Sequence, residues 1–267
     1  MCLSEDGIVK LIKQTIDENL ILLYFQPIYN VNKNSFTSAE VLSRILDKNG
    51  DIVSPSIFIP IAESNGLICE FGYSVIDSTC KFIKRINNSV LNFCINISPL
   101  QLLEKDFYIK VESIIKNNGI SAEQLIFEIT ESVKYELNDC LINNVNMLKN
   151  IGISFSLDDM GKGSSDLFKL SVLPLKSIKI DKMYIDDIES NVSLQILVKN
   201  MILYANSKNM YVVVEGIETL GQKTILDRLK CHYLQGFYFS KPLPENVFKQ
   251  LVCQTKILLK FPVKSII

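Results

Sequence analysis

Short apolar, β-branched runs recur along the chain, and between them apolar residues return every three or four positions. The runs are ILLYFQPIYNV (21–31), FTSAEVLSRIL (36–46), LNFCINIS (91–98), QLIFEITE (124–131), ISFSLDD (153–159), SIKID (177–181), YVVVEGI (211–217) and HYLQGFYFS (232–240). Their length and composition predict strands. Helical periodicity is clearest in NVSLQILVKNMILYANSK, where Leu194, Leu197, Val198, Met201, Ile202 and Ala205 share one face behind a capping Asn191. Further helices are expected over 70–87, 106–118, 139–150 and 219–229. Eight strands, most followed by a helix, predict an α/β fold of the (β/α)8 barrel type. Only the link between the first two strands is too short for a crossover helix, so that pair is expected to be antiparallel. The alternative is an open doubly wound sheet, and the absence of G-x-G-x-x-G after the first strand weighs against it.

Polar residues interrupt or close nearly every run. Glu40 lies in the second, and Asn96 near the end of the third. Glu128 and Glu131 close the fourth, and Asp158 and Asp159 the fifth. Lys179 and Asp181 close the sixth. Glu215 and Glu218 follow the seventh, and Gln235 sits in the eighth. Any one of them alone reads as a helix cap or a solvated loop residue. Met160 reads as packing, and GKGSS lacks the residue order of a phosphate loop. Together they are a different matter, because a barrel gathers its strand ends on one face. Carboxylates buried together need cations, and one lysine does not balance this many. Carboxylates and an amide are hard oxygen donors, suited to two divalent ions such as Mg2+ or Mn2+. An aspartate at a strand tip can bridge two ions ~3.5–4 Å apart, the spacing used to cleave phosphodiesters. On this reading Asp158 bridges and Asp159 serves the second ion.

Composition narrows the chemistry further. The 28 basic and 29 acidic residues leave a net charge of -1, which gives no reason to expect a duplex DNA or RNA partner or a membrane surface. Seven cysteines without a C-x-x-C pair fit reduced thiols and a cytoplasmic location. The acid-bearing N-terminus does not read as a signal peptide, and no apolar run reaches the ~18 residues of a transmembrane segment. The basic, apolar tail TKILLKFPVKSII reads as packing or a frayed end. His232 is the only histidine, so histidine-cluster metal sites are excluded and no nucleophile triad is visible.

The same residues carry a resemblance. FQPI (25–28), AEVLSR with Glu40-Val41-Leu42, FIPIAESNGLI (58–68), NIS (96–98), EITES (128–132), LDDMGKG (157–163), KID (179–181), VEGIE (214–218) and QGFYFSKPLP (235–244) follow one another as in the EAL-domain cyclic-di-GMP phosphodiesterase family. The likeness covers about residues 20–250, between a helical lead-in (1–19) and a tail (251–267). It implies a modified barrel whose first strand runs antiparallel, and Mg2+- or Mn2+-dependent hydrolysis of cyclic di-GMP to linear pGpG. It implies that Glu40, Asn96, Glu128 and Asp158 hold one ion, and Asp158 and Asp159, with Glu215, the other. Lys179 would position or deprotonate the attacking water, and the choice of base between Lys179 and Glu215 stays open. Gln26, Leu42 and Arg44 would contact the nucleotide, and Asp181, Glu218 and Gln235 would order surrounding groups and water. Glu131 would brace the loop after Asp159. A homodimer, and control by sensor domains absent from this sequence, are also implied.

One loop departs from the family pattern. DDFGTGYSSL is here DDMGKGSSDL, with Met160, Lys162, Ser164 and Asp166 at the altered positions. Val41 and Ile45 are milder changes. The altered loop leaves two alternatives to catalysis, a cyclic-di-GMP receptor without turnover and a protein-interaction module built on the barrel.

Overall fold

The computed structural model describes residues 4–130, 138–160 and 170–258. Its first hairpin sets the topology. Strand β1 (Leu22–Asn30) is joined to β2 (Ser35–Leu46) by residues 31–34, a link that only an antiparallel pair can use. Asn30 Oδ1 accepts the Lys33 N–H at 2.8 Å, and Asn34 takes a left-handed φ of 49° to complete the turn. Every later step round the ring is parallel: β2 to β4 (Asn92–Ile97), β5 (Leu125–Thr130), β6 (Ser154–Met160), β7 (Ser177–Ile180), β8 (Tyr211–Val214) and β9 (Tyr233–Leu234). Strand β9 then pairs antiparallel with β1 and closes an eight-stranded barrel. The expected modified barrel is therefore present and the open sheet is not. Two-residue strands, β3 (Ile52–Val53) and β10 (Leu243–Pro244), flank β2 and β1 outside the ring.

The crossovers are helical. Helices α2 (Pro55–Ser64) and α3 (Ile68–Ile86) lead from β2 to β4, and α4 (Pro99–Leu102) and α5 (Phe107–Asn118) lead to β5. Helix α6 (Asp139–Asn150) precedes β6, α7 (Val192–Ser207) precedes β8, and α8 (Leu220–Arg228) precedes β9. Helices α1 (Glu5–Asp17) and α9 (Glu245–Leu258) frame the ring. Strand alternation divides the side chains. In β6, Phe155 and Leu157 are fully buried among the hydrophobic clusters, while Asp158 faces the barrel mouth with Lys179. An aromatic cluster ties the outer layer down. The Phe25 ring stacks on Phe82 of α3 at 4.3 Å and on Phe248 of α9 at 5.1 Å, with Phe93 edge-on at 6.0 Å.

The structure corrects the sequence reading in places. The seventh and eighth runs end as strands at Val214 and Leu234, because Gly216 turns the chain at φ 72° and Gly236 lies hard against the Ile217 backbone. Helices α2 and α9 add to the pattern, and Pro60 inside α2 masks its helical signal. Leu197 is 40% exposed. The seam that α7 buries is the narrower one of Val198, Ile202 and Ala205. No helix among the described residues is long and apolar enough to cross a membrane.

Phe248 is fully buried against three aromatic rings, those of Phe25, Phe82 and Phe93. Phe248→Ala is expected to lower unfolding free energy by about 3–5 kcal/mol in a urea titration, with the helix-dominated far-ultraviolet spectrum of the native state retained.

Candidate active site

Parallel register sets the polar strand ends in steps round one mouth. Glu40 pairs across from Cys94, Asn96 from Glu128, and Thr130 from Asp158. Because β1 runs antiparallel to β2, its central residue Gln26 stands opposite Glu40. At the centre is Lys179, whose side chain is 1% exposed. Its Nζ lies 2.6 Å from Glu215 Oε1, 2.9 Å from Glu128 Oε2, 3.2 Å from Asp158 Oδ1 and 3.6 Å from Glu40 Oε2. Amides hold the rim. Asn96 Nδ2 donates to Glu40 Oε1 at 2.9 Å, and Gln235 Nε2 donates to Glu40 Oε2 at 2.6 Å and to Gln26 Oε1 at 3.3 Å. Gln26 donates onward to the Ser240 carbonyl.

The double acid owes its geometry to a bulge. Leu157 pairs with Ile178 and Met160 with Ile180, so Asp158 and Asp159 stand together opposite Lys179. Neighbours in a regular strand point to opposite faces. Here Asp159 takes φ 58°, a left-handed conformation that aspartate tolerates better than most residues. Its N–H donates to Asp158 Oδ1 at 3.0 Å. As a result Asp158, Asp159 and Glu215 each place a ligand atom within 4.8 Å of the others.

Among the described residues the site holds too few cations. Burial acts to lower the Lys179 pKa, yet Asp158, Glu128, Glu215 and Glu40 outweigh it and hold the ammonium charged. Burial also acts to raise every carboxylate. Only Glu40, facing Lys179 and two amides, ends below its ordinary value. Burial raises Asp158 and lifts Glu128 well above the usual range, and it pushes Glu215 up to about 7, despite Lys179 in each case. One ammonium shared among four carboxylates leaves a surplus of negative charge. That surplus, together with an all-oxygen donor set and the Asp158–Asp159–Glu215 trio, fits divalent cations.

The remaining expected residues lie around this centre. Leu42 and Arg44 continue the Glu40 face of β2, with Arg44 half-buried, stacked 5.6 Å from the Tyr24 ring and donating to the Ser43 carbonyl. Asp181 follows β7 and accepts the Met183 N–H at 2.9 Å, capping the turn over 182–184. Glu218 is exposed and pairs with Lys182, one shell outside the carboxylates. Glu131, Lys162, Ser164 and Asp166 fall outside the described residues. The sequence reading missed Glu63 and Gln101, which line a cavity of about 660 Å³ reaching Asn96 and Asp159. The available signal was the S-x-x-Q spacing of Ser98 and Gln101, a capping box.

The family model described as EAL domain matches residues 10–242. The chain belongs to the EAL-domain family. Among curated EAL relatives, the signaling protein YkoW of Bacillus subtilis is 31% identical over 245 residues, covering 91% of this chain and 31% of YkoW. The probable cyclic di-GMP phosphodiesterase PdeI of Escherichia coli is 31% identical over 242 residues, covering 89% of this chain and 31% of PdeI. Among solved structures, the PaMucR phosphodiesterase in complex with c-di-GMP superposes with a TM-score of 0.82 at 27% identity, covering 90% of this chain and 99% of that one. This EAL barrel thus spans about a third of the length of the curated relatives it matches.

Two outcomes follow for the EAL barrel without bound metal. The folded-state pKa of Glu215, about 7, lies above its ordinary 4.5, so the folded state binds this proton more tightly. That contribution to stability is complete below about 4.5 and is lost as pH rises through 7. In chelator-treated protein, unfolding free energy should fall across this window, and Glu215→Gln should flatten the fall. Lys179→Met removes the only ammonium bonded to these carboxylates among the described residues. It should cost about 3–5 kcal/mol in urea denaturation of the same chelated protein.

Proposed function

We propose that this barrel hydrolyses cyclic di-GMP to linear pGpG with two divalent ions, Mg2+ or Mn2+. The observation that carries this reading is the shared use of Asp158, which faces Lys179 on one side and the Asp159–Glu215 pair on the other. Glu40, Asn96, Glu128 and Asp158 would hold one ion, and Asp158, Asp159 and Glu215 the second. When bound there, such ions supply a water of lowered pKa and positive charge beside the reacting phosphate.

The chain's own residues do the rest. Lys179 orients the attacking water from the floor of the site. Asn96 and Gln235 fix the rotamer of Glu40 by hydrogen-bonding one oxygen each. Gln26 links that pair to the Ser240 backbone, so the rim is one hydrogen-bonded chain. Arg44 presents a planar fork of donors suited to phosphate, and Leu42 offers apolar contact to the nucleotide. Asp181 and Glu218 support the turns that carry Lys179 and Glu215. The relatives named as phosphodiesterases, and the c-di-GMP complex of PaMucR, support the choice of substrate.

A second reading, a receptor without turnover, is favoured by the altered DDMGKGSSDL loop. One incubation separates the two. The purified chain is mixed with cyclic di-GMP and Mg2+ or Mn2+, and the nucleotides are resolved by chromatography over time. Linear pGpG should accumulate. Loss of partners that merely orient a metal ligand costs 10–100-fold, so Asp158→Ala, which removes a ligand, should slow turnover by at least about 100-fold. Tight binding without product under either metal would replace the enzyme with the receptor.

A further inference from the structure

The barrel closes through the shortest strand of its ring. β9 is only Tyr233–Leu234, yet it holds β8 on one side and β1 on the other. Strand β8 leads to Glu215, three positions after Val212, and β9 leads to Gln235, three positions after His232. Two backbone bonds join these ends above the ladder. The Gln235 N–H donates to the Val214 carbonyl at 2.8 Å, and the Ile217 N–H donates to the Gln235 carbonyl at 3.0 Å. Below the ladder β9 has run out, and side chains take its place.

His232 spans this closure. Its carbonyl accepts the Val31 N–H at 3.0 Å on the β1 side. Its Nδ1 accepts the Val212 N–H at 3.1 Å on the β8 side. The Cys231 thiol donates to the Val212 carbonyl at 3.7 Å, so side chains meet both polar groups of buried Val212 that face β9. Burial pushes that thiol up to about 12, and it stays a donor throughout. Nδ1 accepts only in the neutral imidazole that carries its proton on Nε2. A proton on Nδ1 sets donor against donor and leaves the Val212 N–H unpaired, the costly case for a buried group. The Tyr211 ring stands edge-on to the imidazole at 5.4 Å, and Tyr233 edge-on to Tyr211 at 5.7 Å. The charged groups on adjoining elements are Lys33 in the β1–β2 link, Lys176 beside Tyr211, and Asp227, Arg228 and Lys230 at the end of α8. None of them shifts the imidazole, whose pKa is lowered by burial alone.

We propose that His232 is a positioning residue for the barrel mouth: its neutral imidazole pins β8 to the foot of β9 and so sets Glu215 and Gln235 relative to each other, and protonation releases that pin. His232 acts through the two strands and bonds none of the carboxylates. Its role rests on the functional reading above only for the parts assigned to Glu215 and Gln235. The sign follows from the burial. The folded imidazole binds its proton less tightly than the unfolded one, whose ordinary value is 6.5. The bond therefore contributes fully above 6.5 and is lost as pH falls through the lower folded value. His232 is the only histidine in the chain, so no second imidazole titrates beside it.

The test compares the wild type with His232→Asn, whose side-chain oxygen stands where Nδ1 stands and does not titrate. Amide exchange followed by NMR reads the protection of the Val212 N–H. In the wild type that protection should fall by about 5-fold or more between about pH 7.5 and about pH 5, the worth of one hydrogen bond. In His232→Asn it should stay level. The two proteins should share one kcat/KM for cyclic di-GMP at the higher pH, and at the lower pH the variant should exceed the wild type by a similar factor. Any acid limb set by the carboxylates is common to both and cancels in this ratio. His232→Leu, which offers no acceptor, should show the low protection and low rate at both pH values. Parallel protection in wild type and His232→Asn, or a kcat/KM ratio that does not change with pH, overturns the proposal. Should His232→Asn fail to fold, the nitrogen NMR shifts of the single imidazole decide in the wild type. The Nε2–H tautomer and a titration below 6.5 are expected, and the Nδ1–H tautomer or a titration at 6.5 overturns the proposal. If the wild type does not turn over cyclic di-GMP, the phosphodiesterase reading fails by itself, and Val212 protection still decides the pin.

Discussion

A buried ammonium among four carboxylates is the constraint to which the rest of this barrel answers. Lys179 is almost fully enclosed and bonded or paired to Glu40, Glu128, Asp158 and Glu215. In a medium of low dielectric such charges are tolerated only with close partners and satisfied hydrogen bonds. The surrounding amides serve that need. Asn96 and Gln235 each take one oxygen of Glu40, and Gln26 steadies Gln235. Even so, among the described residues the cluster is short of positive charge, and burial raises three of the four carboxylates. A site that is costly to assemble without cations is well prepared to bind them.

Two departures from regular barrel geometry make this cluster possible. The reversed first strand sets Gln26 opposite Glu40, between β2 and β9. The bulge in β6 turns two adjacent aspartates towards one cavity. Each departure is local, and the aromatic layer outside the ring is undisturbed by either. Phe25, in the same strand as Gln26, points the opposite way into the Phe82–Phe248 stack. Stability and chemistry are therefore carried by opposite faces of the same strands.

The family relationship is consistent with the ring of carboxylates and amides at the barrel mouth, and the altered DDMGKGSSDL loop marks where this chain departs from the family pattern. Fold alone does not fix activity. The weight of the functional reading falls on the retained carboxylates, all described and all gathered at one mouth apart from Glu131. The exposed Glu218, paired with Lys182, and Asp181, which caps the turn after β7, stand outside that ring. On the far side of Asn96 the cavity behind α2 gives the site a second compartment, apolar where the first is charged.

The sequence by itself determined the order of the eight barrel strands, five of the crossover helices, the antiparallel first hairpin and the roster of polar strand ends. These depend on local periodicity and on link length, which are written along the chain. It left the extent of β8 and β9 too long and the apolar face of α7 too wide, because the exposure of Leu197 depends on what packs beside it. It placed Asp158 and Asp159 side by side without showing how both reach one cavity, since a bulge is a matter of register between two strands. Glu63 and Gln101 were invisible as a pair. They are 38 residues apart in the chain and meet only through Ser98, after two helices have folded back over the barrel. Which charges share one ammonium, and therefore how far each carboxylate is shifted, was likewise decided only when barrel closure brought five strands' ends together.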